Sequence, residues 1–163
     1  MVSGLSNTND GNYNLVNGNG NSVVGSNNTV SGTNNDVTVT NSTVLGDNVI
    51  APGSDNITAI GNSIEFIQSV DDSIAIGKSL SVNGSDSIAL GNSNTVSEES
   101  VTIGHGNETS GPGNFAVGDN NYIGCDNSYT FGNGNTTDGG DHTYIIGEGN
   151  NISGDNNYVI GKN

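Results

Sequence analysis

The residues of this chain that could do chemistry are few, and they lie in turn-like segments rich in glycine. The only two histidines are His105 and His142, and Asp138, Asp141 and His142 would together offer oxygen and nitrogen ligands for a metal ion. Asp and His in Gly-rich turns are more often simply solvated. The nonapeptide of calcium-binding β-rolls is poorly imitated by Gly139-Gly140-Asp141. We therefore expect no metal site.

The acids and the cysteine do not assemble a catalytic pattern. Asp71–Asp72 and Glu98–Glu99 are pairs of adjacent acids, and adjacent side chains of an extended strand point apart, so neither pair suits general acid–base catalysis. No Ser, His and Asp share a motif such as the nucleophile elbow. Cys125 is alone and is expected to be a buried or semi-buried small residue. We expect no catalytic residue and no cofactor, and we do not expect an enzyme.

Asparagine offers a further kind of chemistry, because seven Asn-x-Ser/Thr sequons occur. In so Asn- and Thr-rich a chain many sequons arise by chance, and they matter only if the organism glycosylates its surface proteins. Their acceptor residues are Asn27, Asn41, Asn56, Asn83, Asn107, Asn135 and Asn151.

A repeat of about fourteen residues must position all of these side chains. Clear copies include Ser73-Ile74-Ala75-Ile76-Gly77 and Ser87-Ile88-Ala89-Leu90-Gly91. From Gly77 to Gly161 the repeat glycines follow one another at intervals of 14, 13, 14, 14, 15 and 14 residues. Looser copies precede them at Gly25, Gly46 and Gly61. A fixed short period is typical of a solenoid built from identical stacked units.

Each unit reads as two short strands and two tight turns. The alternation of apolar, small and apolar residues before the glycine is that of a strand with one buried face. We expect the larger residues of this alternation inside, and they are Ile74, Ile76, Ile88, Leu90, Val101, Ile103, Phe115 and Val117. Five residues past the glycine a second apolar residue recurs, as at Val82, Val96, Ile123 and Ile152. The fold class is therefore predicted to be all-β, a parallel β-solenoid, with the turn glycines at positive φ or crowded between coils.

Composition agrees with a solenoid and argues against other classes. The chain has 163 residues, of which 26 are Gly, and hydrophobic residues make up 30%. That content together with a net charge of −15 would suggest disorder, but disordered tracts have no reason to keep a strand pattern in phase. The absence of an i/i+4 apolar stripe argues against helix. Two lysines against seventeen acids exclude a general nucleic-acid-binding surface.

The length indicates one domain with less regular parts. Residues 1–17 are predicted to form an irregular N-terminal coil or cap, and residues 18–163 the repeat domain. Residues 33–72 are the least regular stretch, and the 62–72 segment lengthens one coil by about two residues. Met1-Val2-Ser3-Gly4 has neither the basic nor the apolar region of a signal peptide, and no apolar run reaches membrane-spanning length.

The Ser-Ile-Ala-Ile-Gly and Ser-Ile-Ala-Leu-Gly units, alternating with a weaker Asn-x-x-Val half, resemble the head repeat of YadA-type trimeric autotransporter adhesins. The resemblance is tightest over residues 73–118 and covers residues 18–163 loosely. It implies a left-handed parallel β-roll, a homotrimer, and an extracellular or cell-surface location. The family's neck, stalk coiled coil and anchor do not follow Gly161. An isolated head-like piece and a self-standing relative both remain open.

The function expected from this resemblance is a non-enzymatic structural or adhesive surface module, with extracellular matrix or a host surface as its outside partner. One alternative is an ice-binding solenoid, which would need a regular rank of threonines. The middle positions break that rank, because they read Ala75, Ala89, Thr102, Ala116, Thr130, Ile145 and Val159. The other alternative is a subunit of a viral or phage fibre, or of a surface filament or sheath.

Self-association is expected in either case. A thin roll with few apolar residues per coil has little protected core, and its ends expose unpaired strand edges. In this reading Ile145 and Val159 are large outward residues that need cover. The partner is then a second copy of the chain, packed either as a closed ring such as a trimer or as a stacked filament or sheath. Neither nucleic acid nor membrane insertion is expected of this segment.

Overall fold

A computed structural model describes all residues from Met1 to Asn163. The chain is all-β, and its parallel strands stack as a β-solenoid of about twelve coils, where a coil is one repeat unit. At about 4.8 Å between paired strands, this stack is about 50 Å long. No helix is present, so no helix could cross a membrane.

The strands form two parallel ladders. The first ladder contains the repeat glycines, and its strands are β1 (Val2–Leu5), β3 (Leu15–Asn19), β5 (Thr29–Thr33), β7 (Thr43–Asp47), β9 (Thr58–Phe66), β10 (Ile74–Val82), β11 (Ile88–Asn92), β13 (Val101–His105), β15 (Phe115–Asp119), β17 (Tyr129–Asn133), β19 (Tyr144–Glu148) and β21 (Tyr158–Lys162). The second ladder comprises β2 (Thr8–Asp10), β4 (Ser22–Val24), β6 (Asp36–Thr40), β8 (Ile50–Asp55), β12 (Thr95–Val96), β14 (Glu108–Thr109), β16 (Tyr122–Ile123), β18 (Thr136–Thr137) and β20 (Asn151–Ile152). The long strands β9 and β10 belong to both ladders.

The register follows the sequence period. Gly77 pairs with Gly91, and Gly91 pairs with Gly104. The lengthened coil is present as predicted, because Gly61 pairs with Gly77, two residues beyond the usual spacing. Residues Val2–Leu5 pair with Val16–Asn19, so the first coil is in register with the second, although no residue before Asn14 is buried.

The interior corrects the predicted phase of the alternation. The small middle positions point inward and form one fully buried column: Val16, Val30, Val44, Ala59, Ala75, Ala89, Thr102, Ala116, Thr130 and Ile145. Ile145 is therefore inside, and Val159 continues its column in the last coil. The prediction that these two point outward was wrong. The prediction that Ile74, Ile76, Ile88, Leu90, Val101, Ile103, Phe115 and Val117 are inside was also wrong, because all eight are partly exposed.

The reason for this phase is the thinness of the roll. The column of the first ladder packs against the inward residues of the second, among them Val82 and Val96, and both sets belong to one buried cluster. Ala, Val and Thr suit a column that shares the interior with larger inward residues, such as Phe66 and Ile123 of the second ladder. Of the second set of apolar residues, Val82, Val96 and Ile123 are buried, and Ile152 is half-buried.

Candidate interaction surfaces

The structure disperses the residues that could do chemistry. His105 lies in contact with Asp119, with 2.7 Å between Nδ1 and Oδ1, and both side chains are about half exposed. His142 occupies a turn position with φ of 59°, and Asp141 accepts a hydrogen bond from the backbone N–H of Asp126. No three His, Cys, Asp or Glu side chains lie together as a metal-binding group.

The paired acids and the cysteine are held by local contacts. Asp71 accepts a hydrogen bond from the N–H of Asp55, and Glu99 takes the left-handed turn conformation with φ of 51°. The Cys125 thiol is buried and donates to the hydroxyls of Ser128 and Thr137. These contacts fix turns and interior packing.

Two of the predicted glycosylation acceptors belong to a feature that the sequence analysis missed. Asn107 and Asn135 are buried members of a column of asparagines three residues after the repeat glycines, which we call the asparagine ladder. Its members are Asn7, Asn21, Asn35, Asn94, Asn107, Asn121, Asn135 and Asn150. The sequence signal was available, because Asn recurs at the same offset from Gly in these coils.

The asparagine ladder ties neighbouring coils together on both sides of a gap where Val49, Ile64 and Leu80 take the same position. Asn121 donates to the carbonyl oxygen of Gly132 at 2.8 Å and accepts from the backbone N–H of Asn135 at 3.1 Å. Its carboxamide also accepts from the side chain of Asn135 at 3.0 Å. A second column at the opposite turn uses Asn and hydroxyl residues in the same way, as where Ser128 accepts from the N–H of Thr143. The buried turn backbone is thus satisfied by side chains instead of by water.

The most distinctive surface is the outward side of the first ladder. From the coil of Leu45 onward, its two outward positions carry mainly large apolar residues, which we call the apolar face. Its members are Leu45, Ile60, Ile74, Ile76, Ile88, Leu90, Val101, Ile103, Phe115, Val117, Tyr129, Phe131, Tyr144, Ile146, Tyr158 and Ile160. In earlier coils the equivalent positions include Asn17, Thr29 and Ser31, so the face is confined to about nine coils.

Aromatic rings strengthen the apolar face toward its C-terminal end. The rings of Tyr129 and Tyr144 stack with centroids 4.8 Å apart and 4° between their planes. Phe115 stacks on Tyr129, and Phe131 lies 5.4 Å from the ring of Phe115. The coil spacing sets these contacts, because parallel register places like residues above one another.

Charged residues border the apolar face on both sides. In each coil, the leading corner is the turn residue two positions before the first outward residue of the first ladder, as Asp72 is to Ile74. The trailing corner is the residue directly after the repeat glycine, as Lys78 is to Gly77. In three coils one corner is acidic and the other basic: Asp72 and Lys78, Glu99 and His105, and His142 and Glu148. No coil from Leu45 onward carries like charges on its two corners.

The threonines expected of an ice-binding surface are not arranged as one rank. The middle positions considered for that role point inward, as Thr102 and Thr130 are fully buried. On the outward side of the first ladder, only Thr29, Thr43 and Thr58 follow one another in successive coils. Aliphatic and aromatic residues occupy the later coils.

Compared with known proteins, the sequence matches no family model and no curated protein.

Proposed function

We propose that this chain is a non-enzymatic structural or adhesive surface module that associates with copies of itself through the apolar face. The observation that carries the proposal is the apolar face itself. At about 4.8 Å per coil, nine coils give an apolar strip about 40 Å long. Soluble monomers rarely expose so long an uninterrupted apolar strip, and such patches mark interaction sites.

Side-chain exposure in the single chain supports the same proposal. Ile76 is 40% exposed and Ile146 is 48% exposed, although both are centred on a regular strand. Their outward row is continuous with Leu90, Ile103, Val117 and Phe131. Covering such a row removes apolar surface from water at roughly 25 cal/mol per Å². A partner with a matching row is a second copy of this chain.

The charges at the corners favour a parallel arrangement in register. If the trailing corner of one copy meets the leading corner of the next at the same height, Lys78 faces Asp72 and His105 faces Glu99 of the neighbouring copy. An antiparallel pair would instead bring leading corner to leading corner, and Glu99 would face Glu99 if the two-fold axis passed through its coil. Because the two corners are complementary and different, repeated contacts of this kind form a ring where the rotation between copies closes, and an open filament where it does not. The resemblance to adhesin heads makes the trimer the first choice, with a laterally stacked filament or sheath as the alternative.

A surface location and an outside partner belong to the same proposal. A rod with its apolar side covered presents the second ladder outward, and that side carries residues such as Ser81, Thr95 and Glu108. Such a polar, acidic surface suits extracellular matrix or a host surface better than nucleic acid.

The experiment is sedimentation equilibrium of the full chain. We expect a closed oligomer, with trimer mass favoured, and a monomer for the double variant Ile76→Asp/Leu90→Asp, because two carboxylates would be buried in the contact. The matched control is Ser81→Asp/Thr95→Asp, since these residues are paired in the same way on the second ladder. The control should keep the wild-type mass.

Two other outcomes of this experiment would change the proposal. Large polymers would favour the filament or sheath over the ring. A wild-type chain that stays monomeric at high concentration would contradict self-association through this face. Circular dichroism of each variant must retain the β spectrum, so that loss of mass reports the interface and not unfolding.

A further inference from the structure

The second ladder carries a cleft of about 380 Å³ on its outward side. It lies between the ends of β12 and β14, and no hydrophobic residue lines it. The side chains that matter for binding are those of Asn83, Thr95, Ser97, Glu98, Glu108 and Ser110. Because these residues belong to the second ladder and its turns, the apolar face stays free of the cleft.

A shortened turn creates the cleft. Between Val82 and Ile88 the chain uses five residues, whereas between Val96 and Val101 it uses four, which accounts for the one short interval between repeat glycines. Ser97 closes the shortened turn from inside. Its backbone N–H donates to the hydroxyl of Thr109 at 3.0 Å, and its hydroxyl donates to the carbonyl oxygen of Gly111.

The wall formed by Glu98 is packed tightly against the coil before it. A Cβ placed on Gly84 would lie 2.4 Å from both N and Cα of Glu98, so only glycine allows this approach. On the other side Ser110 donates its N–H to the carbonyl oxygen of Ile123. The cleft is therefore shaped by backbone packing and ladder hydrogen bonds.

An aromatic residue lies in the coil next to the cleft, outside the residues that line it. Tyr122 is the register partner of Glu108 in the next coil. Its ring lies over Gly124, since a Cβ at Gly124 would be 2.8 Å from both Cε1 and Oη of the tyrosine. The missing side chain of Gly124 lets the ring lie along the sheet beside the polar groups of the cleft.

The chemistry of this arrangement selects a ligand rich in hydrogen-bond donors. Glu98 and Glu108 accept hydrogen bonds, Thr95 and Ser110 can donate or accept, and no cationic side chain lines the cleft. Anions are therefore disfavoured, the more so in a chain with a net charge of −15. A saccharide offers adjacent hydroxyls to carboxylates and a ring face to an aromatic side chain.

We propose that the cleft and the Tyr122 ring bind one saccharide unit, and that the two carboxylates favour an amino sugar over a neutral one. The proposal does not need the assembled ring, because every residue that lines the cleft belongs to one chain. Ring assembly would multiply such sites and raise avidity for a glycan-bearing surface.

The test is a titration of the isotope-labelled full chain followed by its amide NMR signals. The probes are glucosamine, glucose, glucuronate and ethanolamine. Glucosamine should shift the amides of Ser97, Ser110 and Ile123, with a dissociation constant on the order of 1 mM. Glucose should bind more weakly, and glucuronate should not bind. No shift of these amides with either glucosamine or glucose overturns the proposal. Equal binding of ethanolamine and glucosamine also overturns it, because it would show attraction of a cation only.

Variants locate the site. Glu108→Gln should weaken glucosamine binding by about tenfold, because it removes a charge-assisted hydrogen bond. Tyr122→Leu should weaken it by a similar factor, because it removes the stacking surface. The matched control is Glu65→Gln, an exposed acid in the same outward rank three coils away, which should leave binding unchanged. Unchanged binding in Glu108→Gln, whose side chain is exposed, would contradict the proposal even if Tyr122→Leu fails to fold. A monomeric chain that still binds would contradict self-association alone.

Discussion

The repeat glycines set how closely neighbouring coils approach. Gly91 has φ of 116°, and a Cβ built on it would lie 2.0 Å from the carbonyl oxygen of Gly104. The same carbonyl oxygen accepts a hydrogen bond from Asn94 at 3.0 Å. The glycine and the ladder asparagine therefore act together. The glycine leaves space for the carbonyl group of the next coil, and the asparagine donates a hydrogen bond to that carbonyl oxygen. Both the positive φ and the crowding predicted for this position are confirmed.

The close approach of the Gly104 carbonyl oxygen makes the substitution Gly91→Val severely destabilising. The side chain would adopt a disfavoured backbone conformation and collide with backbone atoms that cannot move away, so we expect a loss of at least about 3 kcal/mol in the free energy of unfolding. Asn92→Ala, at the exposed next residue, should cost less than about 0.5 kcal/mol. Thermal unfolding followed by circular dichroism compares the two variants. Equal unfolding midpoints would refute the proposed role of the glycine.

At the level of elements, the turns repeat from coil to coil as the strands do. Most left-handed turn residues immediately precede a member of a buried polar column, as Asn34 precedes Asn35 and Asn120 precedes Asn121. Asn tolerates this conformation, which makes it a suitable residue at these positions. The buried asparagines have a different role, which is to satisfy the backbone groups of the next coil.

Removal of one ladder asparagine should expose this role. In Asn121→Ala the carbonyl of Gly132 and the N–H of Asn135 lose their side-chain partners inside the roll, and each buried unsatisfied group costs about 1–3 kcal/mol. We expect a total loss of roughly 2–4 kcal/mol. The control is Asn120→Gly, whose positive φ of 53° glycine accepts readily. Denaturant unfolding measures both variants. A loss in Asn121→Ala no larger than that in Asn120→Gly would show that water replaces the ladder at little cost.

The elements also show where sequence reasoning stops. The fixed period predicted parallel coils, their register and the lengthened segment, because stacking must preserve spacing. It did not predict which side of the alternation faces inward, since Ile74 and Ala75 satisfy a two-residue period equally well. The small size of Ala75, Ala89 and Ala116 was the available clue to a thin interior. The cleft beside Glu98 depends on one missing turn residue, whose three-dimensional consequence a one-dimensional pattern does not contain.

For the whole molecule, the two outward sides have different chemistry. The first ladder presents the apolar face with charged corners, and the second presents hydroxyls, carboxylates and the cleft. Burying one side in an assembly while exposing the other gives each a separate role. The N-terminal coils differ again, because Asn17 and Ser31 occupy the outward positions that Ile76 and Leu90 fill later. Self-association is thus expected to hold the later coils together and leave the first ones at the edge of the contact.

The corner charges test whether the copies are parallel and in register. Lys78→Glu would place a carboxylate opposite Asp72 of the neighbouring copy, and each exposed pair is worth up to about 1 kcal/mol. Summed over a ring, the dissociation constant should rise on the order of tenfold or more at low salt, and less at high salt. The control is Asn62→Glu, which adds a charge at the same corner one coil earlier. There the neighbouring copy would present the uncharged Asn56, so the dissociation constant should change little.

The double variant Asp72→Lys/Lys78→Glu restores opposite charges only if the two corners meet at equal height. Sedimentation equilibrium should therefore show its association recovering toward wild type, while circular dichroism confirms that each variant keeps the fold. In an antiparallel or shifted assembly the swapped charges would face other residues, and the second substitution would bring no recovery. That result would leave the apolar face as the contact and rule out the parallel, in-register arrangement.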